Sequence, residues 1–392
     1  MKAAFLAVGV FAMAAPAHAD NTAWEVKLAV GSAFDSNVHR AEHVAGHDDA
    51  VDGAPLVRIG ARANVEAAPT AKSRASLSAF AGAKAFAGDD ASTENVGILA
   101  SHASYDAALG DGTRAGVLAA YYDAIGIDGD ATQAARSFRL GRAALSISLS
   151  PDREDQVSAQ LGAVGFDYKP DDSSSFTGPF FGLVYRRRIW LGDGAAGEGE
   201  SEGDGDGERL IDLETGYVVE RRGFSATAYT DGCPPGAPPF EGCFVPTGIS
   251  RRDLSHRAYA GAQLTGDRIY GVRYQVEVND SNSFGQSLVR HRVDLTVTTE
   301  LWGSVFATLR GTLRYNQFLD PLLINADLAA QSFVSIDEES RSGVSIHLLR
   351  KLGSSVAIEG RYAFSTSEPG DTSVSFSRHT AYLGILVGAA GS

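Results

Sequence analysis

No stretch of this chain approaches the roughly 18 to 20 consecutive apolar residues that a membrane-spanning helix needs, which argues against a helical membrane protein. Cysteine is scarce, with 2 in 392 residues. Neither lies near the N-terminus, so no thiol is placed there for a lipid anchor, and membrane attachment would have to come from the fold itself. Positive charge is also in deficit: 34 Lys and Arg face 48 Asp and Glu, for a formal net charge of -14. That balance argues against nucleic acid as a partner. Catalytic motifs are missing too. There is no Gly-x-Ser-x-Gly elbow and no His-Glu-x-x-His helix, and no motif implies a cofactor, so the chain reads as a non-enzyme.

What is present is an export signal followed by period-two alternation almost to the last residue. Met1-Lys2 forms a positive start, residues 3–14 an apolar run, and Ala15-Pro16-Ala17-His18-Ala19 a small-residue cleavage site. The expected division is a signal peptide over residues 1–19 and a single barrel over 20–392. Composition agrees with a β-rich, turn-rich chain: 44 Gly, 19 Phe and 13 Tyr, with a mean hydropathy of -0.08. That hydropathy is too low for a helical bundle in lipid. It suits a barrel whose lumen-facing residues dilute its lipid-facing half.

The alternation can be read by face. Val57, Ile59, Ala61, Ala63 and Val65 share one side, and Arg58, Gly60, Arg62, Asn64 and Glu66 the other. Tyr270, Val272, Tyr274, Val276 and Val278 oppose Gly271, Arg273, Gln275, Glu277 and Asn279. In the next segment Val289, Val293, Leu295 and Val297 oppose Arg290, Arg292, Asp294, Thr296 and Thr298. Runs of about 10 residues are the length a tilted strand needs to cross a bilayer. Segments of this kind begin near residues 24, 56, 72, 96, 114, 136, 156, 180, 210, 254, 269, 289, 305, 342, 356 and 373. The expected fold is therefore all-β: a transmembrane antiparallel up-and-down barrel of about 16 strands, within about 14 to 18.

Connection lengths separate this from a soluble sandwich. Tight turns at 110–112, 150–155, 266–267, 302–303 and 353–354 alternate with longer links at 36–54, 231–252, 280–286, 321–340 and 368–372. Short turns on one side and long loops on the other mark a transmembrane barrel. The Gly/acidic stretch 192–208 breaks the rule and points to a strand count in error nearby. Arg221-Arg222-Gly223 offers a turn that would split one long strand in two. Every proline after the signal is expected between or at the edge of strands. Trp24, Trp190 and Trp302 all fall at strand ends on the short-turn side, where amphipathic rings collect at a membrane interface.

The segment Gly31-Ser32-Ala33-Phe34-Asp35-Ser36-Asn37-Val38 resembles the strand-end Asp-Ser-Asn near the start of some Gram-negative outer-membrane barrels, among them the surface lipoprotein assembly modifiers. The resemblance implies an outer-membrane barrel whose first strand ends at these residues.

Inside such a barrel the charged face must line the lumen, because Arg or Lys at mid-bilayer costs roughly 2 to 4 kcal/mol. The expected lining is Arg58, Arg62, Arg74, Arg273, Arg290, Arg292, Arg310, Arg314 and Arg361 with Glu277, Asp294 and Glu359. Bases exceed acids there, most clearly at Arg273, Arg290 and Arg292. The set reads either as a network of paired struts or as a charged eyelet that selects solutes. The functional expectation is a passive, porin-like outer-membrane channel for small solutes, anions in particular, with outer-membrane lipid as its surroundings. The alternatives are a structural or surface-interaction barrel acting through its loops and, further off, a barrel enzyme using Ser345 and His347. His39, His43 and His47 are spaced by four beside Asp48 and Asp49. On a helix they would stack as a Zn or Cu site, but Gly46 and the absence of helical pattern favour a solvated loop.

Cys233 and Cys243 bracket Pro-Pro-Gly-Ala-Pro-Pro-Phe-Glu-Gly, which in an exported chain reads as a disulfide. Closing so short a loop is worth about 2 to 4 kcal/mol on the chain-entropy view. In protein from oxidising cells no thiol should titrate until a reductant is added. Free thiols before reduction would exclude the bond.

Overall fold

The computed structural model describes residues 22–38, 53–92, 94–126, 137–169, 172–191, 209–232, 244–319, 342–366 and 377–391. Sixteen strands account for almost all of them: β1 Thr22–Asp35, β2 Ala54–Thr70, β3 Ser73–Phe86, β4 Val96–Gly110, β5 Thr113–Gly126, β6 Phe138–Leu149, β7 Asp155–Tyr168, β8 Phe176–Leu191, β9 Arg209–Asp231, β10 Phe244–Thr265, β11 Arg268–Ser281, β12 Leu288–Glu300, β13 Val305–Phe318, β14 Ser342–Lys351, β15 Val356–Thr366 and β16 Ser377–Gly391. Each pairs antiparallel with its sequence neighbours, and β1 pairs with β16, from Trp24 opposite Gly391 to Asp35 opposite Thr380. The all-β antiparallel barrel read from the alternation is the fold observed.

Closure follows from the surroundings each face must meet. Backbone amides and carbonyls have no water to bond to in hydrocarbon, so a spanning sheet must leave no edge. The outward face is apolar around the whole ring: Leu145, Leu161, Leu313 and Leu383 are each more than 60% exposed, at 64%, 61%, 66% and 66%. Such exposure of large aliphatic side chains has no stable partner in water. Lipid supplies one, and the barrel is transmembrane. Trp24, Trp190 and Trp302 are exposed at the short-turn end. Three outward Tyr–His pairs repeat one diagonal register. The hydroxyls of Tyr217, Tyr274 and Tyr362 lie 2.5, 2.7 and 2.7 Å from Nδ1 of His256, His291 and His379 on the following strand. Each pair satisfies polar atoms that would otherwise face the membrane unbonded.

Several boundaries differ from the sequence reading. Strand β9 runs unbroken through Arg221-Arg222-Gly223, so no turn divides it. Instead, the β8–β9 pairing skips Gly178 and Pro179, between Thr177 opposite Gly223 and Phe180 opposite Glu220. A Cβ at Gly178 would lie 1.6 Å from the Arg221 carbonyl oxygen, so only glycine permits this approach. Pro179 and Pro246 therefore sit inside strands, against expectation, but at interruptions of the ladder; β10 shifts register between Pro246 and Ser250. The long link expected over 231–252 is shorter, because β10 already begins at Phe244, opposite Asp231. That pairing brings together the chain on either side of Cys233 and Cys243, which themselves lie outside the described residues. Stretch 192–208 signals no missing strand, since Trp190 pairs with Leu210 and β8 and β9 are direct neighbours. At Trp302-Gly303-Ser304 the turn places Gly303 and Ser304 at φ 58° and 62°, and the Val305 amide donates to the Trp302 carbonyl at 3.0 Å. Positive φ at both central residues gives the mirror-image turn that matches strand twist.

The Asp-Ser-Asn triplet forms the seam. Asp35 accepts from Arg378 Nε at 2.7 Å and also from its Nη2, and both side chains are buried. The Ser36 amide donates to the His379 carbonyl, and the His379 amide returns a bond to Ser36 Oγ, each at 2.9 Å. Asn37 Nδ2 donates to the Ser377 carbonyl at 3.2 Å. Residues 343 positions apart thus lock the first strand to the last.

Asp35→Ala leaves a buried guanidinium uncompensated, a loss of about 3 to 5 kcal/mol. On semi-denaturing gels the variant should convert from folded to unfolded migration at a lower temperature than the wild type. Asp35→Leu combined with Arg378→Leu should recover much of the difference. Equal conversion temperatures for Asp35→Ala and wild type would show that the pair does not hold the seam.

Candidate functional site

The interior of the barrel gathers the charged side chains, and alternation explains why. Every residue between two lipid-facing positions points inward, so Arg290, Arg292 and Asp294 follow from the outward run ending in Leu295. Arg58, Arg62, Arg292, Asp294, Arg310 and Arg361 surround one cavity of about 710 Å³ against β12–β16 and β1–β3. Lys84, Arg378 and Asp35 complete its charged lining, so seven cationic side chains meet two carboxylates. Asp294 is engaged by Arg292 through Nε and Nη2 at 2.8 Å and also accepts from Thr312, and Asp35 is held by Arg378. Arg361 in turn faces Glu359 on β15, and the lining as a whole counts more bases than acids.

Elsewhere on the charged inner face, carboxylates are shared among several bases. Glu277 is buried on β11 and receives Arg222 Nη2 from β9 at 3.5 Å, Arg257 Nη2 from β10 at 3.7 Å and Arg290 Nη1 from β12 at 3.5 Å, with Ser255 Oγ donating at 3.0 Å. Arg222 is shared with Glu220 at 2.6 Å. Arg273 lies 3.8 Å from Glu214 and 4.0 Å over the Tyr259 ring. Glu359 holds His347 Nε2 at 3.1 Å and Arg361 Nη2 at 3.2 Å. These contacts correct the expectation that Arg273, Arg290 and Arg292 lack matching carboxylates: each reaches one, Glu214, Glu277 and Asp294 respectively. Arg314 is buried on β13. Arg74 is exposed near the short-turn end of β3, opposite Asp106 in the β3–β4 register.

Two features escaped the sequence reading. Glu220, Arg222, Asp253 and Arg257 were not singled out, although β9 and β10 place them inward beside Glu277; their signal was period-two spacing from Tyr217 and Leu254. Inward aromatic residues were missed as well: Tyr122, Phe138, Phe166, Phe176 and Phe224 sit on the face that alternation reserves for polar groups. His39, His43 and His47 and the link over 321–340 lie outside the described residues. Among the described residues no group of three His, Cys, Asp or Glu is placed to hold a metal ion.

Removing the shared carboxylate in Glu277→Gln takes that counter-charge from Arg257 and Arg290 and leaves Arg222 with Glu220. The unfolding temperature in detergent should fall by an amount corresponding to about 3 kcal/mol, and adding Arg290→Gln should restore part of it. An unchanged unfolding temperature would mean that the network is solvated and adds no stability.

No known protein family and no curated protein matches the sequence. Solved structures do resemble the barrel. An anion-selective porin from Comamonas acidovorans aligns at a TM-score of 0.46 and 11% identity, covering 94% of this chain and 99% of that one. OprB of Pseudomonas putida, in a high-pH structure, aligns at 0.47 and 11%, covering 94% of each chain. A variant of the Rh. blastica porin aligns at 0.37 and 11%, covering 94% of this chain and 100% of that one. At these values the likeness carries neither function nor substrate to this chain.

Proposed function

We propose that this chain is a passive outer-membrane channel for small solutes, with a preference for anions, and that residues 1–19 are the export signal which brings it there. One observation carries the reading: a closed ring of 16 strands, apolar outside, encloses a cavity of about 710 Å³ lined by charged side chains. Barrels of about eight strands fill their interiors with side chains, whereas those of about 16 leave an aqueous channel. A lumen of this width needs no moving part to pass water and small ions.

The anion preference rests on the wall from β12 to β3. The cavity lining there counts seven Lys and Arg side chains against two Asp, and a low-dielectric wall screens a field of that sign only in part. The acidic balance of the whole chain opposes this at the mouths. The preference is therefore modest.

Purified protein in a planar bilayer should give discrete conductance steps. Reversal potentials across a salt gradient should favour anions, and Arg58→Gln with Arg62→Gln should move the permeability ratio toward unity. A barrel that inserts without conducting would instead be a closed structural barrel acting through its loops. Cation selectivity in the wild type would overturn the anion preference alone.

A further inference from the structure

The inner wall has two chemically different halves that meet. Each strand from β5 to β9 contributes an inward ring to one row: Tyr122, Phe138, Phe166, Phe176 and Phe224, with successive centroids 5.3, 5.4, 5.4 and 5.3 Å apart. The membrane does not require them, since the lipid belt is built from the other face. Water in the lumen disfavours them. Phe138 is covered, but Tyr122, Phe166, Phe176 and Phe224 keep part of their surface exposed, so the row is not a sealed core. Phe80 on β3 packs against the same cluster, and the Arg62 guanidinium lies 5.9 Å over its ring. Arg62 is exposed and lines the cationic cavity. Between Arg62 and the row the inner face is therefore Phe80 and the buried cluster that includes Val96 and Ile98 on β4. At the far end of the row the guanidiniums over Phe176 and Phe224 belong to Arg222 and Arg251, which are held by Glu220 and Asp253. Of these three guanidiniums, Arg62 is the exposed one.

Resting on the channel reading above, we propose that the lumen selects small amphipathic anions in which an aromatic or alicyclic ring carries a carboxylate. The ring loses hydration against the row while the carboxylate meets Arg62 and its cationic neighbours. A simple inorganic anion uses only the second half of this wall, and a neutral ring only the first.

Benzoate tests this, with acetate as the acid without a ring and benzyl alcohol as the ring without an acid. Added to single channels, benzoate should interrupt the current at a concentration about tenfold lower than either control, the ratio expected for one added stacking contact. Phe176→Leu, which keeps bulk and removes the ring, should weaken benzoate several-fold and leave acetate unchanged. Arg62→Gln should weaken benzoate and acetate together. A conducting channel that treats benzoate and acetate alike, or a benzoate response untouched by both Phe176→Leu and Phe166→Leu, overturns the proposal and leaves the channel reading standing. If the barrel does not conduct, the channel reading fails. The ring-plus-acid site then stands if benzoate raises the unfolding temperature in detergent more than acetate and benzyl alcohol do, and falls if it does not.

Discussion

The constraint on which the rest of this structure depends is that a peptide backbone in hydrocarbon must satisfy every amide and carbonyl from within. A sheet can do so only by having no edge, and here the ring closes where β1 meets β16. The pairing of the first and last strands joins the two ends of the sheet, so it is the contact most remote in sequence and the one with the largest loop-closure cost. Its reinforcement is correspondingly dense. Asp35, Ser36 and Asn37 each bond to the first residues of β16, and the Asp35–Arg378 pair is withdrawn from water altogether.

Closure then dictates where charge can go. With lipid outside, each arginine on a strand has to point inward, where it meets the arginines of every other strand. Crowded like charges are tolerable only if carboxylates are interleaved, and β9 to β12 show the result, with Glu277 drawing guanidiniums from three strands. A wall balanced in this way is stiff and nearly neutral. The cavity lining from β12 round to β3 holds fewer acids than bases, and the proposed anion preference rests on that imbalance.

The apolar half of the interior belongs to the same geometry. Inward rings on five neighbouring strands form one row, and Phe80, under Arg62, packs against the buried cluster at its β5 end. An amphipathic lumen arises from this juxtaposition of two stripes, neither of which reveals its neighbour when taken strand by strand.

Much of this was legible in the residues. Period two assigns each side chain to a face, which is why Arg58 and Arg62 could be placed opposite Val57 and Ile59 before any fold was known, and why all 16 strands could be located. Trp and Gly placement marked the strand ends and turns for the same local reasons. Misreadings arose where tertiary pairing outweighed local signals: Arg221-Arg222-Gly223 has turn composition but is held in β9 by its neighbours, and Phe244 to Pro246 extends β10 because β9 is there to pair with it. The sequence by itself determined the fold class and the face on which each side chain stands, because alternation is a property of a single strand meeting two solvents. Only the tertiary structure decided which charges neutralise one another, that Asp35 reaches Arg378, and that a ring-bearing wall adjoins a cationic one, because register and closure bring together residues hundreds of positions apart and no local pattern encodes a neighbour.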